Sequence, residues 1–224
     1  NARMHMGQNL FKSEDQDFRI DVLSADPLDY IVSYVPNTAY NAAVGYSKIS
    51  VTALREIINV KTLDRTFIIA NKDDRMKALD EKFEVLDSAK QYQGKKLILI
   101  DDSIVRGNTL FVVVKKIKES GIFKEIHVRS ASPPVKYQDY MGIDIPTRSE
   151  LIANKTNEEG LAALLKVDSI KYLSQSNLLK SIKMNCVHTK GIDMNNSCLS
   201  WTNGKYPIEF EDKWKLYSKI FPED

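Results

Sequence analysis

Two cysteines, Cys186 and Cys198, are too few for a disulfide framework and suit a reducing compartment. Long hydrophobic runs are missing as well. The longest apolar stretches, Leu97 to Ile100 and Leu110 to Val114, fall far short of the roughly 20 residues that span a bilayer. No basic start followed by an apolar core marks a signal peptide, and the chain opens on Asn1 rather than Met, a chain boundary or a processing site. Charge of one sign is also scarce: 32 Lys and Arg stand against 30 Asp and Glu, a net +2. That balance excludes the basic footprint of a general nucleic-acid binder. What remains is ordinary for a globular protein, with 43% hydrophobic and 28% charged residues in 224 positions and no internal repeat. One domain in a cytoplasmic protein is the expectation.

Short β-branched runs alternate with longer amphipathic ones. Tyr30–Val35, Thr66–Ala70, Lys96–Ile100, Glu125–Ser130 and Ser169–Leu173 read as strands. Helical patterns begin at Ala42–Lys48 and fill Thr109–Ser120, Glu158–Leu165 and Ser176–Lys183. In the second of these, Leu110, Val113, Val114 and Ile117 recur at helical spacing, and Gly121 follows as a natural stop. Asn71–Lys90 is charge-dense with little apolar face, so a loosely packed, mobile lid is expected there. From Asn185 the chain turns polar and loop-rich, with a helical pattern at Phe210–Ile220. The alternation predicts an α/β fold: a doubly wound, mostly parallel sheet over residues 1–184, with residues 185–224 as an appendage packed on the same domain.

The informative segment runs from Leu97 to Thr109. A buried strand delivers Asp101 and Asp102 at its carboxyl end, where ligands bind in open α/β sheets. Ser103, Ile104, Val105, Arg106, Gly107, Asn108 and Thr109 follow as a short loop opening a helix. Backbone N–H groups in such a loop, with hydroxyls and the helix dipole, form a phosphate cradle. Two carboxylates beside that cradle suit a ligand that also carries hydroxyls: the pair can accept from a ribose or hold Mg²⁺. The plainer alternative is an Asp pair that ends a strand and caps a helix.

Asp101-Asp102-Ser103-Ile104-Val105-Arg106-Gly107 resembles the phosphoribosylpyrophosphate (PRPP) signature of type I phosphoribosyltransferases, and its wording is similar to the glutamine PRPP amidotransferases of purine synthesis. The resemblance continues in family order through Arg3–Leu10, His127–Pro134, Gly142–Ala153 and Gly204–Ile208. It implies a type I phosphoribosyltransferase fold with a small hood or C-terminal appendage. It also implies displacement of pyrophosphate from C1 of PRPP by ammonia, giving 5-phosphoribosylamine, with Mg²⁺ held by Asp101 and Asp102. Residues Ser103 to Thr109 would wrap the 5′-phosphate. The turn Asn37, Thr38 and Ala39 resembles the family's pyrophosphate loop. Arg65, at the base of the family's catalytic loop, and Lys82, 17 residues on, would reach pyrophosphate oxygens. A glutaminase domain or subunit, an oligomeric state and purine nucleotides as competitive inhibitors are further implications.

The chain also departs from the family. Asn37-Thr38-Ala39 lacks the usual acidic residue and final serine, so a metal-binding hydroxyl is missing at Ala39. Asn59–Asp64 replaces a cationic, aromatic tract, and Asn108 replaces a threonine of the phosphate loop. The iron–sulfur cluster of some members needs four thiolates. Here Cys198-Leu199-Ser200-Trp201 keeps one of a Cys-x-x-Cys pair, Asp139 stands where another ligand would be, and Cys186 is a stray, so no cluster is expected. Cys186, His188 and Cys198 match no common zinc spacing. The family's N-terminal nucleophilic cysteine has no counterpart here, so glutamine hydrolysis is not assigned to this chain. The competing reading is a catalytically impaired PRPP- or nucleotide-binding module with a regulatory or scaffolding role. A nucleobase transferase fits less well, because the segments after Ser130 follow the amidotransferase pattern.

Overall fold

The computed structural model describes residues 1–61, 72–139, 147–184 and 197–206, with side chains from Lys77 onward in the helix that begins at Lys72. Arg65, Cys186, His188, the strand expected at Thr66–Ala70 and the helix expected at Phe210–Ile220 lie outside the described residues. In chain order the elements are α1 (Ala2–Lys12), α2 (Gln16–Ser24), β1 (Tyr30–Tyr34), α3 (Tyr40–Ser50), β2 (Ala53–Leu54) and β3 (Ile58–Val60). Then come α4 (Lys72–Lys82), β4 (Phe83–Val85), β5 (Lys96–Asp101), α5 (Asn108–Glu119) and β6 (Glu125–Ser130). The remainder are α6 (Ile152–Lys155), α7 (Glu158–Leu165), β7 (Ser169–Tyr172), α8 (Gln175–Lys183) and α9 (Ser200–Asn203).

Among the described residues, five strands form one parallel sheet in the order β2-β1-β5-β6-β7. Register runs from Tyr30 opposite Lys96 to Tyr34 opposite Ile100, and from Lys96 opposite Glu125 to Asp101 opposite Ser130. The continuous apolar run of β5 is explained by burial on both faces. Leu97 and Leu99 face one core with Leu110, Val113, Val114 and Ile117 of α5; Ile98 and Ile100 face the other with Ala42, Ala43 and Tyr46 of α3. The helical spacing read in α5 therefore matches its packing, and Gly121 takes φ +64° just past its end. Asn157 and Ser174 cap α7 and α8, accepting from the N–H groups of Gly160 and Asn177.

From β1 the chain moves outward to β2 and later returns to place β5 on the other side of β1. The switch in winding direction thus lies between the carboxyl ends of β1 and β5, where open α/β sheets bind ligands. The sheet, its parallel sense and its helices on both faces agree with the sequence reading.

The expectation of a loosely packed lid over Asn71–Lys90 is corrected for its described part from Leu79 onward. β4 pairs antiparallel with β3 as a two-stranded ribbon, Phe83 opposite Val60. Leu79, Phe83 and Ala89 are buried in the core that α5 shares. Leu79, near the end of α4, and Phe83, the first residue of β4, are both buried there, which seats the α4–β4 junction although the stretch is otherwise charged. The described stretch 197–206 also packs on the domain: Leu199 and Trp201 lie against the α3 core, and the carbonyl of Trp201 accepts from the N–H groups of Lys136 (2.9 Å) and Tyr137 (3.1 Å).

The α3 side of the sheet carries buried polar groups with no sequence warning. Arg129 Nε and the Tyr46 hydroxyl both donate to Glu14 Oε1, tying β6 and α3 to the end of α1. His127 shares its two ring nitrogens with Ser169 Oγ (2.9 Å) and Glu125 Oε2 (3.3 Å). Burial, aided by the Arg129 charge, pulls its pKa down to about 4, against the opposing pull of Asp168 and Glu125. A folded-state pKa below the unfolded value means that the unfolded chain binds the extra proton. This contribution to stability is present above pH ~6.5 and is lost as pH falls toward 4. Roughly 2 kcal/mol should be gone by about pH 5. His127→Gln should flatten that acid limb in urea unfolding at a series of pH values; an unchanged slope would contradict the assignment.

Candidate active site at the carboxyl ends of β1 and β5

A cleft of about 530 Å³ opens at the switch point. It collects residues from four places in the chain. The β1 turn gives Val35, Pro36 and Thr38; the α4–β4 junction gives Leu79, Lys82 and Phe83; the end of β5 gives Asp101 and Asp102; and Ser103 to Leu110 give the loop and the start of α5. Of the residues singled out in the sequence, Thr38, Lys82, Asp101, Asp102, Ser103, Ile104, Val105, Arg106, Gly107, Asn108 and Thr109 are therefore brought together. Asn37 is exposed at the turn and does not line the cleft. Ala39 is fully buried, packs in the α3 core and does not line the cleft.

β5 positions the carboxylates. Its ladder continues past Ile100, whose carbonyl accepts from Val35 N–H (2.8 Å), and the Asp101 carbonyl accepts from Ala131 N–H (2.8 Å). Asp101 is buried, and its Oδ1 accepts from Asp102 N–H at 2.9 Å; Asp102 Oδ1 accepts from Ser103 N–H at 3.0 Å. Burial first, and the neighbouring Asp102 second, push the Asp101 carboxyl well above the usual carboxylate range. A cation or a hydroxyl donor arriving at the pair relieves that penalty.

The loop then turns into α5 through Gly107, whose φ of +81° disfavours any residue with a Cβ. A Cβ there would also stand 3.2 Å from the Phe111 ring. No side chain caps this helix, so the first N–H groups of α5 are left for a ligand, and the helix dipole adds about 0.3–1 kcal/mol for an anion. From the other wall, Lys82 ends α4, and its carbonyl accepts from Lys61 N–H (2.8 Å), which anchors it at the foot of the β3–β4 ribbon. A lysine, two carboxylates and the uncapped start of α5 thus share one cleft. Leu79 and Phe83, which line its walls, escaped the sequence reading, being isolated apolar residues in a charge-dense stretch.

No family model matches the chain. Comparison with curated proteins is decisive instead. The chain is 39% identical over 200 residues to the amidophosphoribosyltransferase of Mus musculus, covering 81% of this chain and 38% of that protein. The chain is a relative of the amidophosphoribosyltransferases. With the Synechocystis enzyme it shares 34% identity over 211 residues, 94% of this chain and 38% of the relative. Among solved structures, the glutamine PRPP amidotransferase of B. subtilis, complexed with ADP and GMP, superposes with a TM-score of 0.71 at 29% identity over 94% of this chain and 43% of that one. The chain thus spans about two fifths of the length of the amidophosphoribosyltransferases it matches.

Among the described residues no helix is long and apolar enough to cross a membrane. Nor do three or more His, Cys, Asp or Glu side chains gather there as a metal cage. Cys198 is exposed, with its sulfur 3.2 Å from Ser200 Oγ.

Proposed function

We propose that this chain is the phosphoribosyltransferase part of an amidophosphoribosyltransferase, displacing pyrophosphate from C1 of PRPP with ammonia to give 5-phosphoribosylamine, at the start of purine synthesis. The observation that carries the proposal is the juxtaposition of the Asp101–Asp102 pair, the N–H groups that open α5 and Lys82 in one cleft at the switch point. The B. subtilis relative is described with ADP and GMP bound, which supports a site for phosphorylated ribose in this fold.

The residues divide the ligand between them. Backbone N–H groups of Ile104 to Thr109, with the hydroxyls of Ser103 and Thr109, hold the 5′-phosphate at the head of α5. Asp101 and Asp102 accept from the ribose hydroxyls. Thr38 and Lys82 face the pyrophosphate, Lys82 as a point charge on oxygens that become more negative as the bond to C1 breaks. Arg65 is proposed for the same role on the resemblance alone. Positive charge grows on the ribose as pyrophosphate leaves, so the protein's work is positioning and charge stabilisation rather than covalent catalysis.

Two carboxylates without a fuller cage fit Mg²⁺, which keeps several waters and binds through one or two carboxylates plus substrate phosphates. Asp101 and Asp102 would hold it. When bound, it supplies electrostatic neutralisation of the leaving group. No iron–sulfur cluster enters the proposal. The remaining parts of the reading are a glutaminase domain or subunit as the ammonia source, an oligomer, a cytoplasmic setting, and residues 185–224 as an appendage of the 1–184 domain. The packing of Leu199 and Trp201 supports the last.

Calorimetry tests the site. PRPP with Mg²⁺ should bind, and a purine nucleoside 5′-monophosphate should displace it competitively, since both present a ribose 5-phosphate. Absence of PRPP binding would overturn the proposal, and non-competitive nucleotide binding would remove the inhibitor part of it.

A further inference from the structure

Arg106 lines the cleft, yet its Nε–H is already donated to Glu150 Oε2 at 2.6 Å. One residue earlier, the Val105 carbonyl accepts from Ile152 N–H at 2.9 Å, and an Ile152 side-chain carbon lies 3.7 Å from where a Cβ on Gly107 would stand. Successive residues of the phosphate loop are thus gripped from outside by residues 150 and 152. That outer segment is itself held. Thr147 Oγ1 donates to the other oxygen of Glu150 (3.3 Å), and Asn154 Nδ2 donates to the carbonyls of Lys136 (2.8 Å) and Arg148 (3.2 Å).

The Arg106–Glu150 pair is too exposed to matter much for folding, with side chains 26% and 47% accessible. Its position suggests another use. A phosphate cradle works through N–H groups that must converge before the ligand arrives, and a short glycine-containing loop left to itself loses that convergence to conformational entropy. We infer that Glu150 is a positioning residue for the sugar-phosphate end of the ligand, acting through Arg106 to hold the 103–109 loop in its binding shape. The inference rests on the reading of that loop as a phosphate cradle. It also assigns the effect to one end of the ligand, because the pyrophosphate side is built from Thr38 and Lys82 on other elements.

The experiment is calorimetry on the full chain with ribose 5-phosphate and, separately, with pyrophosphate, using the parent, Glu150→Gln, Arg106→Gln and the double variant. Glu150→Gln should weaken ribose 5-phosphate about tenfold (~1.4 kcal/mol) and leave pyrophosphate within about twofold. Arg106→Gln should do the same, and the double variant should be no weaker than either single one, because the two act as a unit. Unchanged ribose 5-phosphate affinity in Glu150→Gln overturns the inference. So does equal weakening of both ligands with a lowered thermal midpoint, which marks a merely structural pair. An additive loss of about a hundredfold in the double variant overturns it too, since Arg106 would then meet the phosphate on its own account. A parent chain that binds no ribose 5-phosphate would refute the cradle reading itself, and the inference with it.

Discussion

Replacing Asp101 and Asp102 together by asparagine should lower ammonia-dependent release of pyrophosphate from PRPP by roughly a thousandfold or more, while the folded chain survives. The two halves of that expectation have different sources. Asparagine keeps the size and most of the hydrogen-bond geometry of aspartate, so Asp101 Oδ1 can be replaced as acceptor for Asp102 N–H. Asp101 is buried with its carboxyl pushed upward by burial and by Asp102, so a neutral amide removes a repulsion that the fold tolerates. Thermal midpoints should therefore stay within a few degrees of the parent. On the proposed chemistry, what is lost is the charge that would orient the ribose and hold Mg²⁺, a loss expressed mainly in turnover. The backbone cradle at the head of α5 is untouched, so inorganic phosphate or ribose 5-phosphate should still bind. Activity within tenfold of the parent, measured with ammonium and PRPP, would remove the carboxylate pair from the mechanism.

The largest effect on stability should come from a single methyl group outside the lining of that cleft. α1 and α3 cross with their backbones in contact. A Cβ on Gly7 would lie 1.8 Å from the Ala42 carbonyl oxygen, and one on Gly45 would lie 1.9 Å from the Met4 carbonyl oxygen. Neither obstacle is a flexible side chain. Gly45→Ala gains up to ~1 kcal/mol in helix propensity but must push the two helices apart. The net loss should be about 3 kcal/mol, in the range of severe overpacking, and the thermal midpoint should drop by roughly 6–12 °C. Because α3 follows directly from the turn that carries Thr38, the same substitution should weaken pyrophosphate more than ribose 5-phosphate, whose loop hangs from β5. A midpoint at or above that of the parent would show that the helices do not meet as described.

Those two glycines illustrate what was hidden in the sequence. β5 is legible because a strand buried on both faces must be apolar at every position, and α5 because its apolar residues repeat at the helical period. The Asp pair and its loop are legible because they sit where a parallel sheet presents its ligands. α1 and α2 are poorly legible. Helix α1 mixes Arg3, His5 and Gln8 with its apolar residues, and its contact with α3 is made by backbone at Gly7, which lowers helix propensity instead of signalling it. The two-residue β2 and three-residue β3 are too short for any periodicity to show. The buried Glu14–Arg129 pair spans 115 positions, so neither residue announces its partner. Charge density in Asn71–Lys90 hides Leu79 and Phe83, which are buried on either side of Lys82 where α4 meets β4 and line the cleft with it. Ala39 is the reverse case. A turn that resembles a pyrophosphate loop places this residue in the core, while Thr38 beside it reaches the cleft.

The central claim is that ammonia attacks C1 of PRPP in the cleft between β1 and β5. The most direct test is the rate of pyrophosphate release from PRPP and Mg²⁺ at fixed total ammonium over a rising series of alkaline pH values, with a parallel series lacking ammonium. The proposed chemistry predicts release that requires ammonium and climbs with pH as ammonium gives up its proton, because only the neutral amine carries the attacking lone pair. Release that ignores ammonium, or no release from a chain that still binds PRPP, would contradict it and leave a PRPP-binding module in its place.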